Sequence, residues 1–129
     1  VGYCGNWVQG TSTANMINRN GGNTNIAIDG NLRANIATPS GTYLFFAASH
    51  DGTTANVYAA SSNTISKVSS AYSGGATTAK FRAGGTLFGG ATFNAAAVMT
   101  FGSYLNDTQI NDIYTYLKNL LATRGIAVS

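Results

Sequence analysis

From Asn106 to Gly125 the chain reads "NDTQINDIYTYLKNLLATRG", and no earlier stretch has this pattern. Ile110, Ile113, Leu117, Leu120 and Leu121 recur at three- and four-residue spacing, which places them along one face of a helix. Asn106 suits an N-cap, with Gln109 three positions later as in a capping box. Asp107 and Asp112 fall toward the positive end of the helix dipole, Lys118 and Arg124 toward the negative end. Gly125 is a residue that readily takes the left-handed conformation closing a helix. The spacing predicts a helix over Asp107 to Thr123. One apolar stripe needs one surface to cover it, and the rest of the chain must supply that surface.

The rest consists of short apolar runs separated by turn residues, the pattern of many strands. In "GTYLFFAASHDGTTANVYAAS" the segments Tyr43 to Ser49 and Thr54 to Ala60 read as consecutive strands. The Asp51-Gly52 dipeptide between them is a hairpin signal. Ala55, Val57 and Ala59 alternate with Asn56 and Tyr58, so the two sets face opposite ways. Further strands are expected over Gly2 to Gln9, Ala14 to Asn18, Thr24 to Asp29, Asn31 to Ala37, Thr64 to Ser69, Thr78 to Ala83 and Ala95 to Phe101. The Gly-rich stretch between Arg82 and Phe93 reads as a loop or bulged crossing. With no linker, charge block or repeat at a solenoid period, residues 1–129 read as one domain. Strands at this spacing suggest a sandwich.

Charged residues make up 9% of the chain, against roughly 25% in ordinary globular domains. Apolar content is 44%, so the low charge does not signal disorder. The net charge of +3 comes from scattered Lys and Arg, with no basic run and no aromatic-basic alternation, which argues against nucleic-acid binding. No apolar run approaches the roughly 18 residues of a membrane span. No signal-peptide pattern opens the chain, and its start at Val1 points to a processed product or a partial sequence. The single cysteine, Cys4, reads as a small buried strand residue, with an intermolecular bridge as the sharper alternative.

Three stretches carry a resemblance to the concanavalin A-like lectin/glucanase superfamily, close to the laminin-G-like domains of phage tail and bacterial surface proteins. "FFAASHDGTTANVYAA" resembles that family's central hairpin. "FNAAAVMTFGSYLNDTQI" resembles its late strand, in which Phe-Asn opens an alternating apolar run that leads to a Leu-Ser-Asp helix start, here Leu105-Asn106-Asp107. "INDIYTYLKNLLATRGI" resembles its short terminal helix, with Arg124-Gly125-Ile126 at the end. The resemblance covers most of the chain from about Gly41 onward, and the part before it weakly. It implies an all-β fold: a two-sheet antiparallel jelly-roll sandwich with one C-terminal helix lying against it. Family members usually carry one or two more strands before the segment that "VGYCGNWVQG" resembles. The first strands are therefore expected to be missing or supplied by another chain, which leaves Val1 to Gln9 beside an unfilled sheet position.

Glycosidases of that fold use a Glu-x-Asp-x-x-Glu strand, and glycoside hydrolysis needs paired carboxylates. This chain has no glutamate, and its acids are Asp29, Asp51, Asp107 and Asp112. The last two belong to the helix start, while Asp51 and Asp29 sit in turns, each before a glycine. No enzyme is expected. His50 adjoins Asp51, but no serine in a nucleophile-elbow context accompanies them, so it reads as a surface turn histidine. No His or Cys cluster offers zinc ligands. The resemblance leaves calcium open, with Asp29 and Asp51 as the acids that can ligate it, but two lone turn aspartates are a weak set and no cofactor is expected.

Sugar binding needs an aromatic platform beside amides and hydroxyls, often on loops. Tyr3, Trp7, Tyr58, Tyr72 and Phe88 are the aromatic candidates, with Asn56 beside Tyr58 and Arg82 as a cationic partner. Two readings follow. One is a non-catalytic structural subunit, as in a virion decoration, fibre or surface filament, assembling with itself or with other virion or surface proteins. The other is a carbohydrate-binding, receptor-binding module. Assembly stands slightly ahead, because no sugar site can be pointed to. Both place the protein on a virion or cell surface, away from nucleic acid and membrane. Incubation with common polysaccharides is expected to release no reducing sugar; release that disappears in Asp51→Asn would overturn that expectation.

Overall fold

A computed structural model of the chain describes residues 2–6, 15–20, 23–28, 31–37, 43–71, 82–83 and 96–128; before residue 43 and at 82–83 the description is of the backbone, with the side chain of Ile36 added. The described strands are β1 (Gly2–Asn6), β2 (Asn15–Asn20), β3 (Asn23–Ile28), β4 (Asn31–Ala37), β5 (Phe46–His50), β6 (Thr54–Ser61), β7 (Thr64–Ala71) and β8 (Arg82–Ala83). Among the described residues one helix, α1, follows over Asp107–Ala122.

The strands form two antiparallel sheets, one of order β4-β3-β2-β1-β8 and one of order β5-β6-β7. Tight connections set the register: Asn20 pairs with Asn23, Ile28 with Asn31 and Ser61 with Thr64. At the last of these Ser62 and Asn63 both have positive φ, 50° and 68°, the geometry that twists a two-residue hairpin the right way. At the Asp51-Gly52 turn, Gly52 takes φ 97° and the Asp51 carboxylate accepts from the amides of Thr53 and Thr54, each at 2.8 Å. The hairpin signal read from that dipeptide is borne out.

Strand β6 is buried from Ala55 to Ala60 because both faces of its sheet are covered. Ala55, Val57 and Ala59 pack with Ile36 of β4, joined by Phe46 and Ala48. Tyr58 and Ala60 point the other way and pack with Phe45, Ile110 and Tyr114, joined by Ile65, Leu105, Ile113 and Leu117. The order of layers is therefore five-stranded sheet, three-stranded sheet, helix. The expected alternation within β6 is present, and the set holding Tyr58 meets α1.

This arrangement corrects the all-β jelly-roll sandwich. In a jelly roll, two Greek keys carry the chain between the sheets. Here β1 to β4 form one meander and β5 to β7 another, and a helix makes a full layer of the core. Among the described residues the fold is α+β. The late strand expected over Ala95 to Phe101 is not formed: residues 96–101 have irregular backbone and are exposed. Strand β5 begins at Phe46 rather than Tyr43, which instead makes an isolated parallel bridge to Val128. On its side away from β2, strand β1 is paired at Cys4 and Gly5 by the two described residues of β8. It lies between β2 and β8, with Cys4 opposite Ile17 and Ala83.

The helix begins as its sequence predicts. Asn106 Oδ1 accepts from the Gln109 amide and Gln109 Oε1 from the Asn106 amide, both at 3.0 Å. It closes with the Gly125 amide on the Ala122 carbonyl and the Ile126 amide on the Leu121 carbonyl, with Gly125 at φ 74°. Tyr114, not part of the expected stripe, is buried with Ile110 and Leu121, while Ile113, Leu117 and Leu120 are half-buried. The last turn holds no basic residue; Lys118 bonds Asn63 Oδ1 and lies over the Tyr114 ring.

Among the described residues, Tyr114 also carries a buried hydroxyl without a hydrogen-bond partner. An unpaired buried hydroxyl costs about 1–3 kcal/mol. Tyr114→Phe is thus expected to melt at or above the wild-type temperature, whereas Ile110→Ala should lose about 2–5 kcal/mol in denaturant titrations. A Tyr114→Phe variant as damaged as Ile110→Ala would mean that the hydroxyl has a bonded role.

Candidate functional site

The helix-facing side of the three-stranded sheet is laid out in cross-strand rows. Phe45, Ala60 and Ile65 lie under the body of α1. Ala47, Tyr58 and Lys67 form the next row, and Ser49, Asn56 and Ser69 the one beyond. The rows change from apolar to polar toward the N-terminus of the helix. That gradient makes the junction between sheet and helix start the most polar place in the described core.

Its hydrogen bonds run continuously across the sheet. Ser69 Oγ donates to Asn56 Oδ1 at 2.7 Å, and Asn56 Nδ2 donates to Ser49 Oγ at 3.5 Å. Ser49 Oγ is 3.4 Å from the Tyr58 hydroxyl, which donates to Asp107 Oδ1 at 2.9 Å. Lys67 Nζ donates to both oxygens of Asp107, at 2.8 and 3.0 Å, and lies 5.7 Å from the centre of the Tyr58 ring. Asp107 thereby joins the first turn of α1 to β6 and β7.

The charges follow from these contacts. The Lys67 ammonium, then the Tyr58 hydroxyl, hold the Asp107 carboxyl below the usual carboxylate range. Asp107 in turn raises Lys67, chiefly through their hydrogen bond. Burial pushes the Tyr58 phenol up, and the neighbouring Asp107 adds to the shift. The Asp51 carboxyl is lowered by the amides of Thr53 and Thr54 and the Thr53 hydroxyl. That carboxylate serves its own turn.

Of the sugar-platform candidates, Asn56 and Tyr58 do come together, but each is only 2% exposed. Tyr58 has no open face for a ring to stack on. Tyr3 lies on β1 and Arg82 on the adjacent β8, across β2 and β3 from β4. Trp7, Tyr72 and Phe88, with Asp29, lie outside the described residues. His50 is exposed at the end of β5. Among the described residues no three acidic, His or Cys side chains converge to hold a metal, and no helix is long and apolar enough to cross a membrane. Sequence reading passed over Ser49, Lys67 and Ser69. Their signal was the register: a strand pair set by Asp51-Gly52 puts Ser49 opposite Asn56, and the Ser62-Asn63 turn adds Ser69 to the row.

The second feature is apolar. Just before α1, Val98, Met99, Phe101 and Tyr104 are 46%, 48%, 52% and 42% exposed. Among the described residues no backbone hydrogen bond outside regular elements involves 96–105. Asp107, six positions after Phe101, is held on β7 by Lys67. Compared with protein-family models, curated proteins and solved structures, the chain matches none.

The Asp107 junction has a pH signature. Its folded acidity lies on the low side of the ordinary value near 3.9, so its stabilising contribution is full above about pH 4 and fades as pH falls through the depressed value. Lys67 is raised, so its share is full below about pH 10 and is lost as pH climbs through the raised value. The pair is substantially solvent-exposed, with Asp107 at 62%, so screening keeps the ionic part within about 1 kcal/mol. Asp107→Asn should melt slightly lower at pH 7 and show a shallower acid decline, which thermal melts between pH 2 and 7 will measure.

Proposed function

We propose that this protein is a non-catalytic assembly subunit whose apolar segment before α1 is covered by other copies of the chain. The observation that carries this reading is the cluster of four half-exposed large apolar side chains between Val98 and Tyr104. Scattered exposed apolar residues are ordinary, but four within one short segment point to a contact surface. With 9% charged residues and a net charge of +3, like-charge repulsion between copies is small. Display on a virion or cell surface is the setting we propose for such a subunit, on the strength of the turn-rich, low-charge composition. The glycan-binding reading has lost Asn56 and Tyr58 to the core, and no described contact joins its other candidates.

A magnitude check narrows the proposal. Fully burying such a side chain is worth about 1.5–3 kcal/mol, so completing the burial of four half-exposed ones yields about 3–6 kcal/mol. Association costs about 4–15 kcal/mol before any affinity appears. The side chains alone reach only the lower end of that range. Further contacts must accompany them.

Sedimentation across a roughly thousandfold dilution, with melting followed in parallel, tests the reading. An oligomer is expected at high concentration, with a melting temperature that falls on dilution. Phe101→Asp should shift the population to monomer while keeping the helical circular dichroism. A wild-type monomer with a concentration-independent melt would overturn the proposal.

A further inference from the structure

We infer that the contact is made by reciprocal strand addition: residues 96–101 of one copy pair with the outer edge of β7 in a second copy, and the second copy returns the same contact. This rests on the assembly reading above and says what completes it. Ala96 to Phe101 contains Val98, Thr100 and Phe101, residues that suit a pleated strand, yet it lies exposed outside any described sheet. Its length, about 20 Å if extended, fits along the longer edge strand of the three-stranded sheet.

Two edges exist in that sheet, and they differ. The residues of β5 are half-buried except His50 at its end. Those of β7 are exposed except Ile65 and Ser70, and Val68 is an exposed apolar residue among them. Among the described residues β7 pairs with β6 on one side only. Natural edge strands are often guarded by a lysine. The lysine here, Lys67, has its ammonium drawn onto Asp107 at the helix face, so its charge is compensated and directed out of the sheet plane. The guard is turned aside.

The same ion pair explains why the partner is another copy. It fixes Asp107, six positions after Phe101, against β7, so the donated strand and the accepting edge start from neighbouring points on the surface. A patch that contains both halves of a contact is self-complementary, and two copies related by a two-fold axis satisfy it twice. Main-chain hydrogen bonds formed this way supply the contribution that side-chain burial lacks, the usual basis of strand addition.

Proline substitution separates this from contact through side chains alone. In an added strand alternate amides point at the neighbour, so of Val98→Pro and Met99→Pro one should weaken association roughly tenfold or more while the other is tolerated. Hydrogen exchange on the wild type gives a second readout that needs no variant. Amides of 96–101 and alternate amides of β7 should exchange slowly at high concentration and quickly after dilution, with a mass of two protomers in the associated state. Persistence of association in both proline variants, or their equal loss of it without dilution-dependent protection, would reject strand addition and leave the assembly reading standing. Protection that survives dilution would place the pairing within one chain and also reject it. An open series of masses would reject the reciprocal pair, and a wild-type monomer throughout would remove both this inference and the reading beneath it.

Discussion

Val57 and Tyr58 are neighbours on one strand, point to opposite sides, and are both shut away from water. The rest of the described structure depends on that double burial. A three-stranded sheet is marginal unless its faces are covered. Here β4 contributes Ile36 on one side and α1 contributes Ile110 and Tyr114 on the other. Small residues make this close stacking feasible: Ala55, Ala59 and Ala60 let both outer layers approach β6, while Val57 and Tyr58 fill the space between. Central position, rather than any property of β6 alone, explains its unbroken burial.

The boundary between apolar and polar rows fixes where the helix sits. Over the row of Phe45, Ala60 and Ile65 a helix face can be buried without unmet polar groups. Over Ser49, Asn56 and Ser69 it would displace hydrogen bonds that these residues make with each other. The intermediate row provides the anchor, since Tyr58 and Lys67 offer donors where Asp107 brings a carboxylate and the helix brings the positive end of its dipole. Position along the sheet is thus set by polarity, and attachment by apolar contact.

Local structure was legible in the sequence wherever a nearest-neighbour rule decides it. Asn31–Ala37 forms a strand with the expected bounds, the capping box forms as expected, and the helix ends at Ala122, one residue short of the expected limit. What the residues did not reveal was which layer each face would meet. Tyr58 alternates as expected, but alternation cannot distinguish a solvated face from one covered by a helix. The segment 96–101 failed for the opposite reason: its strand-like residues have no described neighbour to pair with, and propensity without a ladder forms no strand. At the candidate site, Asn56 and Tyr58 read as sugar-binding groups from the sequence, and both are buried and bonded within the sheet-helix junction. The register that unites them with Ser49 and Ser69 is set by two turns, only one of which stood out as a dipeptide signal.

The bond between Tyr58 and Asp107 also has a consequence in time. It spans 49 positions along the chain, whereas β5, β6 and β7 are joined by short turns. Hairpins form within microseconds, while contacts between distant segments wait for the chain to close a long loop. The three-stranded meander is therefore expected to precede helix docking, which would leave one whole face of β6 without cover for that interval. In a crowded setting such as a polysome, a neighbouring nascent chain can offer its own helix to that face first. Dilution during refolding would then govern whether each helix lands on its own sheet, which makes the order of folding events, and not the finished contacts alone, a determinant of which chain ends up joined to which.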